Sequence, residues 1–258
     1  MKIIKEIYAY REMVYSLVHR DLKGRYKGSV LGFAWTFLNP LLQLAVYTLV
    51  FSIIMRNGIK DYYLFLFVAL VPWIFFSSCM AAGAGCIRQQ GDMIKKIYFP
   101  REVIPLSFVT SQFVNMLLSL IVVFAVVVFS GKPMNPVALL YLPLIMIIEY
   151  LIALGLTMLI SGITVYMRDI EYLMNIIMMA WQFGTPVMYG LDQIPERFMF
   201  LFNLNPMTPV IVAYRDILYY GQVPEMNTLI TAVVFGIVTL IAGVLVFGRL
   251  KLHFAEEL

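Results

Sequence analysis

Residues 20–40 read RDLKGRYKGSVLGFAWTFLNP. Arg20, Lys23, Arg25 and Lys27, with Asp21 among them, crowd charge just ahead of a long apolar segment. A cleavable secretion signal has an apolar core of about 7–15 residues. Here the apolar run extends over 31–55, the charged region before it is far too long, and no small-residue cleavage pattern follows. The stretch therefore reads as a retained membrane span. The composition agrees, with 62% hydrophobic and 13% charged residues and a mean hydropathy of +0.86. Soluble domains lie nearer 45–50% and about 25%, so the solvent of this chain is largely lipid.

A helix needs about 20 apolar residues to cross a ~30 Å hydrocarbon core. Six segments qualify: 31–55, 62–86, 104–130, 137–165, 170–189 and 227–248. Each must be helical, because lipid offers backbone groups no other partner. The expected fold is an all-α integral membrane protein with six transmembrane helices. An interfacial amphipathic helix (1–28) precedes the membrane domain (29–258). An even number of spans places both termini on one side. The positive-inside rule makes that side cytoplasmic, because Lys2, Lys5, Arg11, the 20–27 cluster, Arg88, Lys95, Lys96, Arg101, Arg168, Arg249 and Lys251 outnumber Arg56, Lys60, Lys132, Arg197 and Arg215.

Residues 2–23 have helical periodicity, with Lys2, Lys5, Glu6, Glu12, His19 and Lys23 on one face. Ile3, Ile4, Ile7, Tyr8, Val14, Tyr15, Val18 and Leu22 form the other, as in a helix lying in the membrane interface. Arg11 projects from the apolar face and is expected to snorkel or to meet a carboxylate on another segment. Gly24 and Gly28 are expected to form the bend into the first span. The loop 87–103 is expected to hold a short helix on which Met93, Ile94, Ile97 and Tyr98 share a face. Pro100 stops its continuation. Such a helix is either a simple turn or an element that docks in a groove of a soluble partner.

Polar residues inside spans are costly and therefore informative. Trp35, Asn39, Gln43, Tyr47 and Phe51 repeat every four residues in the first span, and Asn175, Gln182 and Tyr189 every seven in the fifth. Interhelical packing is one reading. Lining of a sugar-conducting channel is the other, since aromatic faces stack on sugar rings and amides bond to hydroxyls. Ser107, Ser111, Asn115 and Ser119 read as packing, and Glu149 as a structural or cavity-facing contact. Residues 190–226 are apolar but broken by prolines. They suit an outer helical hairpin that turns at Asn205–Pro206 and serves as a gate or as a surface cap. Cys79 and Cys86 read as small packing residues, no metal-ligand cluster has suitable spacing, and no G-x-x-x-x-G-K-[ST] phosphate loop occurs. Asp169 and Glu171, beside Arg168, read as a solvated loop.

Four motifs in series, RDLKGRYKGSVLGFAWTFLNP (20–40), KKIYFPREVIPL (95–106), VYMRDIEY (165–172) and NPMTPVIVAYRDILYYG (205–221), resemble the membrane subunit of type-2 ABC exporters for bacterial surface polysaccharides. The resemblance implies a permease in the bacterial inner membrane, working as a homodimer with two copies of a separate ABC ATPase. That partner uses ATP and Mg, and this chain binds no cofactor of its own. It also implies a coupling helix at Gln89–Phe99, here with Gln89, Asp92, Ile94, Lys95, Ile97, Tyr98 and Phe99. It implies a collar formed by the N-terminal helix and an outer gate containing Asn205, Pro206, Pro209 and Tyr214. The substrate it implies is an undecaprenyl-diphosphate-linked polysaccharide, so the partners are lipid rather than nucleic acid. Lys23, Arg25 and Lys27 lie where the lipid diphosphate would arrive. The alternatives are an exporter of teichoic acid or of a smaller lipid or drug, a proton-coupled carrier, or a membrane-surface enzyme.

Overall fold

The computed structural model describes residues 2–25, 28–54, 58–132 and 134–258. Lys27 and Arg56 lie outside the described residues. All regular structure among those described is helical. In chain order the helices are α1 (Lys2–Ala9), α2 (Arg11–Gly24), α3 (Trp35–Thr48), α4 (Tyr62–Ala81), α5 (Cys86–Gln89), α6 (Gly91–Lys96) and α7 (Val103–Phe129). They continue with α8 (Pro136–Leu139), α9 (Leu142–Tyr166), α10 (Asp169–Phe183), α11 (Glu196–Leu204), α12 (Met207–Arg215), α13 (Met226–Leu250) and α14 (Phe254–Glu257).

Five helical stretches among the described residues are long and apolar enough to cross a membrane: Gly32–Ile54, Tyr62–Lys96, Val103–Phe129, Pro136–Tyr166 and Met226–His253. The remaining expected span, 170–189, contains α10, which has only 15 residues. At 1.5 Å per residue it reaches about 22 Å, short of a ~30 Å core. The chain leaves the helix at Gly184, and Pro186 has no N–H with which to resume it.

The core is organised around α4, which is apolar on every side. Leu64 through Val71 are all buried, as befits a helix enclosed by others. Helices α9 and α13 lie against each other through glycines. A Cβ on Gly155 would stand 2.4 Å from the main-chain carbonyl of Thr239, and one on Gly243 would stand 2.1 Å from the carbonyl oxygen of Gly155. Only hydrogen fits there, and the backbones approach as small residues permit in membranes. Helix α3 contacts α4 and α7 but leaves Leu42, Val46, Leu49 and Ile53 exposed. It carries Pro40 internally and widens into a π-turn over Leu49–Ile54.

The amphipathic front end differs from the single helix expected over 2–23. It breaks at Tyr10, and α2 packs on α7 through Leu17, with Tyr10, Met13 and Val14 partly buried. Tyr8 and Tyr15 are exposed, so the inward face is rotated from the one periodicity suggested. Among the described residues, Arg11 meets no distant carboxylate. It sits 3.7 Å from Glu12 and 4.9 Å from the Tyr8 ring centroid, within its own segment. The bend holds at Gly28 but not at Gly24. Gly24 ends α2 in helical geometry, whereas Gly28 and Gly32 take φ of 84° and 47°, where a side chain would be strained.

Polar contacts sort the connections into two ends. At one, Arg20 donates to Gln90, Arg88 pairs with Glu171, and Lys251 pairs with Glu102. At the other, Lys132 pairs with Asp61 and Tyr219 donates to the carbonyl of Lys60.

Candidate functional site

The two polar stripes meet at one point. Gln182 Nε2 of α10 donates to Tyr47 Oη of α3 at 3.2 Å. Asn39 and Gln43 remain exposed on α3. Trp35 is half-buried and donates to Ser29 Oγ at 3.0 Å, and the Phe51 ring lies 6.2 Å from that of Tyr62. Asn175 is exposed and bonds within its own helix, to the carbonyl of Glu171 at 3.3 Å. Tyr189 lies beyond the end of α10, with its hydroxyl on the carbonyl of Phe183 and its ring edge-on to Phe202. Thus Tyr47 and Gln182 are brought together, and the outer members of each stripe are engaged locally. The serine stripe of α7 packs as expected where Ser119 Oγ reaches the carbonyl of Thr36 on α3 at 3.2 Å.

Helices α11 and α12 meet at Asn205–Pro206. Asn205 is 7% exposed and uses its amide fully. Its Oδ1 accepts from Trp181 Nε1 at 3.0 Å and from the backbone N–H of Met207 at 2.9 Å. Its Nδ2 donates to the carbonyl of Gly184 at 2.9 Å and to Thr185 Oγ1 at 2.8 Å. The hairpin turn is thereby pinned to the C-terminal end of α10. Pro206 and Pro209 sit at the start of α12, where a missing N–H leaves no helical bond unmade. Helix α12 is the inner arm, with Met207–Ile211 and Ala213–Arg215 buried. Tyr214, fully buried, donates to Glu149 Oε2 at 2.7 Å, which gives Glu149 its structural contact.

Sequence reading counted Arg215 as a loop cation, but it is only 4% exposed. Its guanidinium donates to the carbonyls of Val187 at 2.6 Å and Tyr189 at 3.0 Å, and lies 3.7 Å from the Phe65 ring centroid. Tyr62 Oη adds a bond to the carbonyl of Met188 at 2.8 Å. Together these side chains capture the non-helical carbonyls of 187–189. Nearby, Lys132 stacks on Tyr219 at 3.4 Å. Desolvation pushes the Lys132 pKa down, and Asp61 partly offsets this.

At the opposite end, the α5–α6 loop divides its apolar residues. Ile94 and Phe99 are buried, whereas Ile97 and Tyr98 are exposed, Tyr98 by 94%. The single face expected for Met93, Ile94, Ile97 and Tyr98 is therefore split. Helix α6 stops at Lys96, and Ile97 is extended, with φ of −131° and ψ of 135°. Gln89, Asp92 and Lys95 are exposed. The candidate anion-binding cations diverge. Lys23 is exposed, while Arg25 turns inward to Asp21 and to Gln112 Oε1, each at 2.9 Å. Ser111 Oγ also donates to Asp21. Arg20, Asp21 and Arg25 line a cavity of about 410 Å³ with Gln89, Gln90 and Ser107. Glu171 is no member of a solvated loop, because it accepts from Arg88 at 2.7 Å. The only sequence signal for that pair is the position of each residue next to a span boundary.

These features define a polytopic helical membrane protein with a polar contact between two partly exposed helices and a pinned hairpin at one end. Residues 12–219 match the model of the ABC-2 type transporter family, and the chain belongs to that family. It is 35% identical over 261 residues to the O-antigen export system permease protein RfbA of Myxococcus xanthus, with both chains fully covered. It is 32% identical over 247 residues to the protein of the same name from Klebsiella pneumoniae, covering 96% of this chain and 95% of that one. It is 22% identical over 240 residues to the polysialic acid transport protein KpsM of Escherichia coli, covering 91% and 92%.

Proposed function

We propose that this chain is the permease half of an ATP-driven exporter that moves a lipid-linked surface polysaccharide across the bacterial inner membrane. The observation that carries this reading is the full-length similarity to a protein named as an O-antigen export permease. The chain works as a homodimer with two copies of a separate ABC ATPase, which hydrolyses ATP with Mg. Both termini are cytoplasmic. Helix α10, extended by 184–189, acts as a sixth and shorter span, and α11–α12 is a re-entrant hairpin that gates the outer exit.

The exposed Ile97 and Tyr98, with Gln89, Asp92 and Lys95, dock on the ATPase, and Ile94 and Phe99 hold that surface in place. Polymer passes along Asn39, Gln43, Tyr47 and Gln182, whose amides and phenol suit hydroxyl-rich rings. Lys23 and Lys27 meet the lipid diphosphate at the cytoplasmic surface, and Arg25 swings out from Asp21 and Gln112 to join them. Charge reversal at all three is expected to abolish export while the protein still inserts, and export that persists would remove that role. Export in proteoliposomes is expected to stop when ATP is depleted and to survive an uncoupler. The opposite pattern would establish a proton-coupled carrier instead.

A further inference from the structure

We infer that α10 is a rod that carries movement of the α5–α6 loop to the outer hairpin, with Arg88 and Glu171 as the positioning pair at its driven end. The inference rests on the exporter reading above and goes beyond it by naming the mechanical link. Three observations carry it. First, Arg88 Nη1 lies 2.7 Å from Glu171 Oε2, joining the α5–α6 loop to the first turn of α10. Second, the Glu171 carboxylate packs against Gly85. A Cβ there would stand 2.5 Å from Glu171 Oε1, so the carboxylate lies directly over the Gly85 backbone. Third, the far end of α10 is pinned to the hairpin by Trp181, Gly184 and Thr185, all bonded to Asn205.

Between its two fastened ends α10 is lightly held. It buries only Met174 and Met178, and unbranched thioethers make a smooth, adaptable contact. A continuous hydrogen-bonded helix shifts along its axis as one body, so displacement at Glu171 is delivered about 15 Å away at Trp181. Coupling between distant sites requires an element whose position both sites bias, and α10 is attached to both.

The test uses the permease co-purified with its ATPase in nanodiscs, carrying Phe200→Cys on the exposed arm of the hairpin. The readout is the rate of labelling by a membrane-impermeant maleimide, with and without ATP plus vanadate. The parent is expected to change its rate several-fold with nucleotide. Arg88→Glu, Glu171→Arg and Gly85→Ala are each expected to lose most of that change while still retaining the ATPase. The double exchange Arg88→Glu with Glu171→Arg is expected to recover it, which a merely destabilised protein would not do. A nucleotide response that persists in all three single variants, or is absent from an ATPase-bound parent, overturns the inference and leaves the exporter reading standing. Failure of any ATPase to co-purify removes that reading, and the inference with it.

Discussion

Replacing Asn205 with leucine removes four hydrogen bonds and almost no volume. The indole N–H of Trp181 and the backbone N–H of Met207 lose their acceptor, and Gly184 and Thr185 lose a donor. A buried donor left unpaired costs about 1–3 kcal/mol. Two such donors give roughly 2–6 kcal/mol, and the lower half of that range applies because Trp181 is only half-buried. At about 2–4 °C per kcal/mol for a chain of this size, the melting temperature of Asn205→Leu should fall by roughly 5–15 °C. Intrinsic fluorescence during heating in detergent is a suitable assay, and Trp181 is itself a reporter at the affected site. Asn203→Ala makes a comparable change on the exposed arm of the same hairpin and should melt within about a degree of the parent. An Asn205→Leu protein that melts with the parent would refute the claim that this side chain pins the hairpin to α10.

Gly155→Ala places a methyl group 2.4 Å from main-chain atoms of Thr239, so α9 and α13 must part. A loss of about 1–3 kcal/mol is expected, whereas Gly248→Ala, with open space around it, should be neutral or slightly stabilising in the same melt. Ile94→Ser should lower stability by about 2–4 kcal/mol, because the side chain is buried. Tyr98→Ser should leave the melt unchanged and weaken pull-down of the ATPase, and equal behaviour of the two variants would contradict the split face. Arg215→Lys keeps the charge but cannot bridge two carbonyls with a planar fork. It should cost about 1–3 kcal/mol, and an unchanged melting temperature would show that the 187–189 carbonyls do not depend on Arg215.

The long helices were legible because lipid leaves one solution for an apolar run of sufficient length. Five of the expected segments coincide with the five long apolar helical stretches to within about five residues at either end, except that the second runs on to Lys96 rather than ending at residue 86. The helix at 169–183 was harder to read. Its apolar residues continue to Tyr189, but hydropathy does not register that Gly184 and Pro186 release the backbone. The carbonyls so released are taken up by Arg215, Tyr62 and Asn205, which lie up to 126 residues away in sequence. Local pattern carries no information about partners at that distance. The same limit explains the rotated face of α2: Tyr8 and Tyr15 share a helical stripe, yet contact with α7 selects Leu17 and its neighbours instead.

Charged residues at span boundaries pose a different difficulty, because one composition serves two purposes. Lys95 and Lys96 remain exposed, with no ion pair among the described residues. Arg88, eight positions before Lys96, is committed to Glu171. What separates the two cases is Gly85, a residue without charge. A glycine three residues before an arginine at a helix end ordinarily reads as a flexible joint. Here its missing Cβ is the space that the Glu171 carboxylate occupies. Partly exposed ion pairs of this kind add little to stability, about 0–1 kcal/mol, so their value as fasteners cannot lie in the energy of the folded state. It lies in direction. A pair seated over a bare backbone holds one geometry, and a helix fastened in one geometry at both ends passes on a push that a freely solvated pair would absorb.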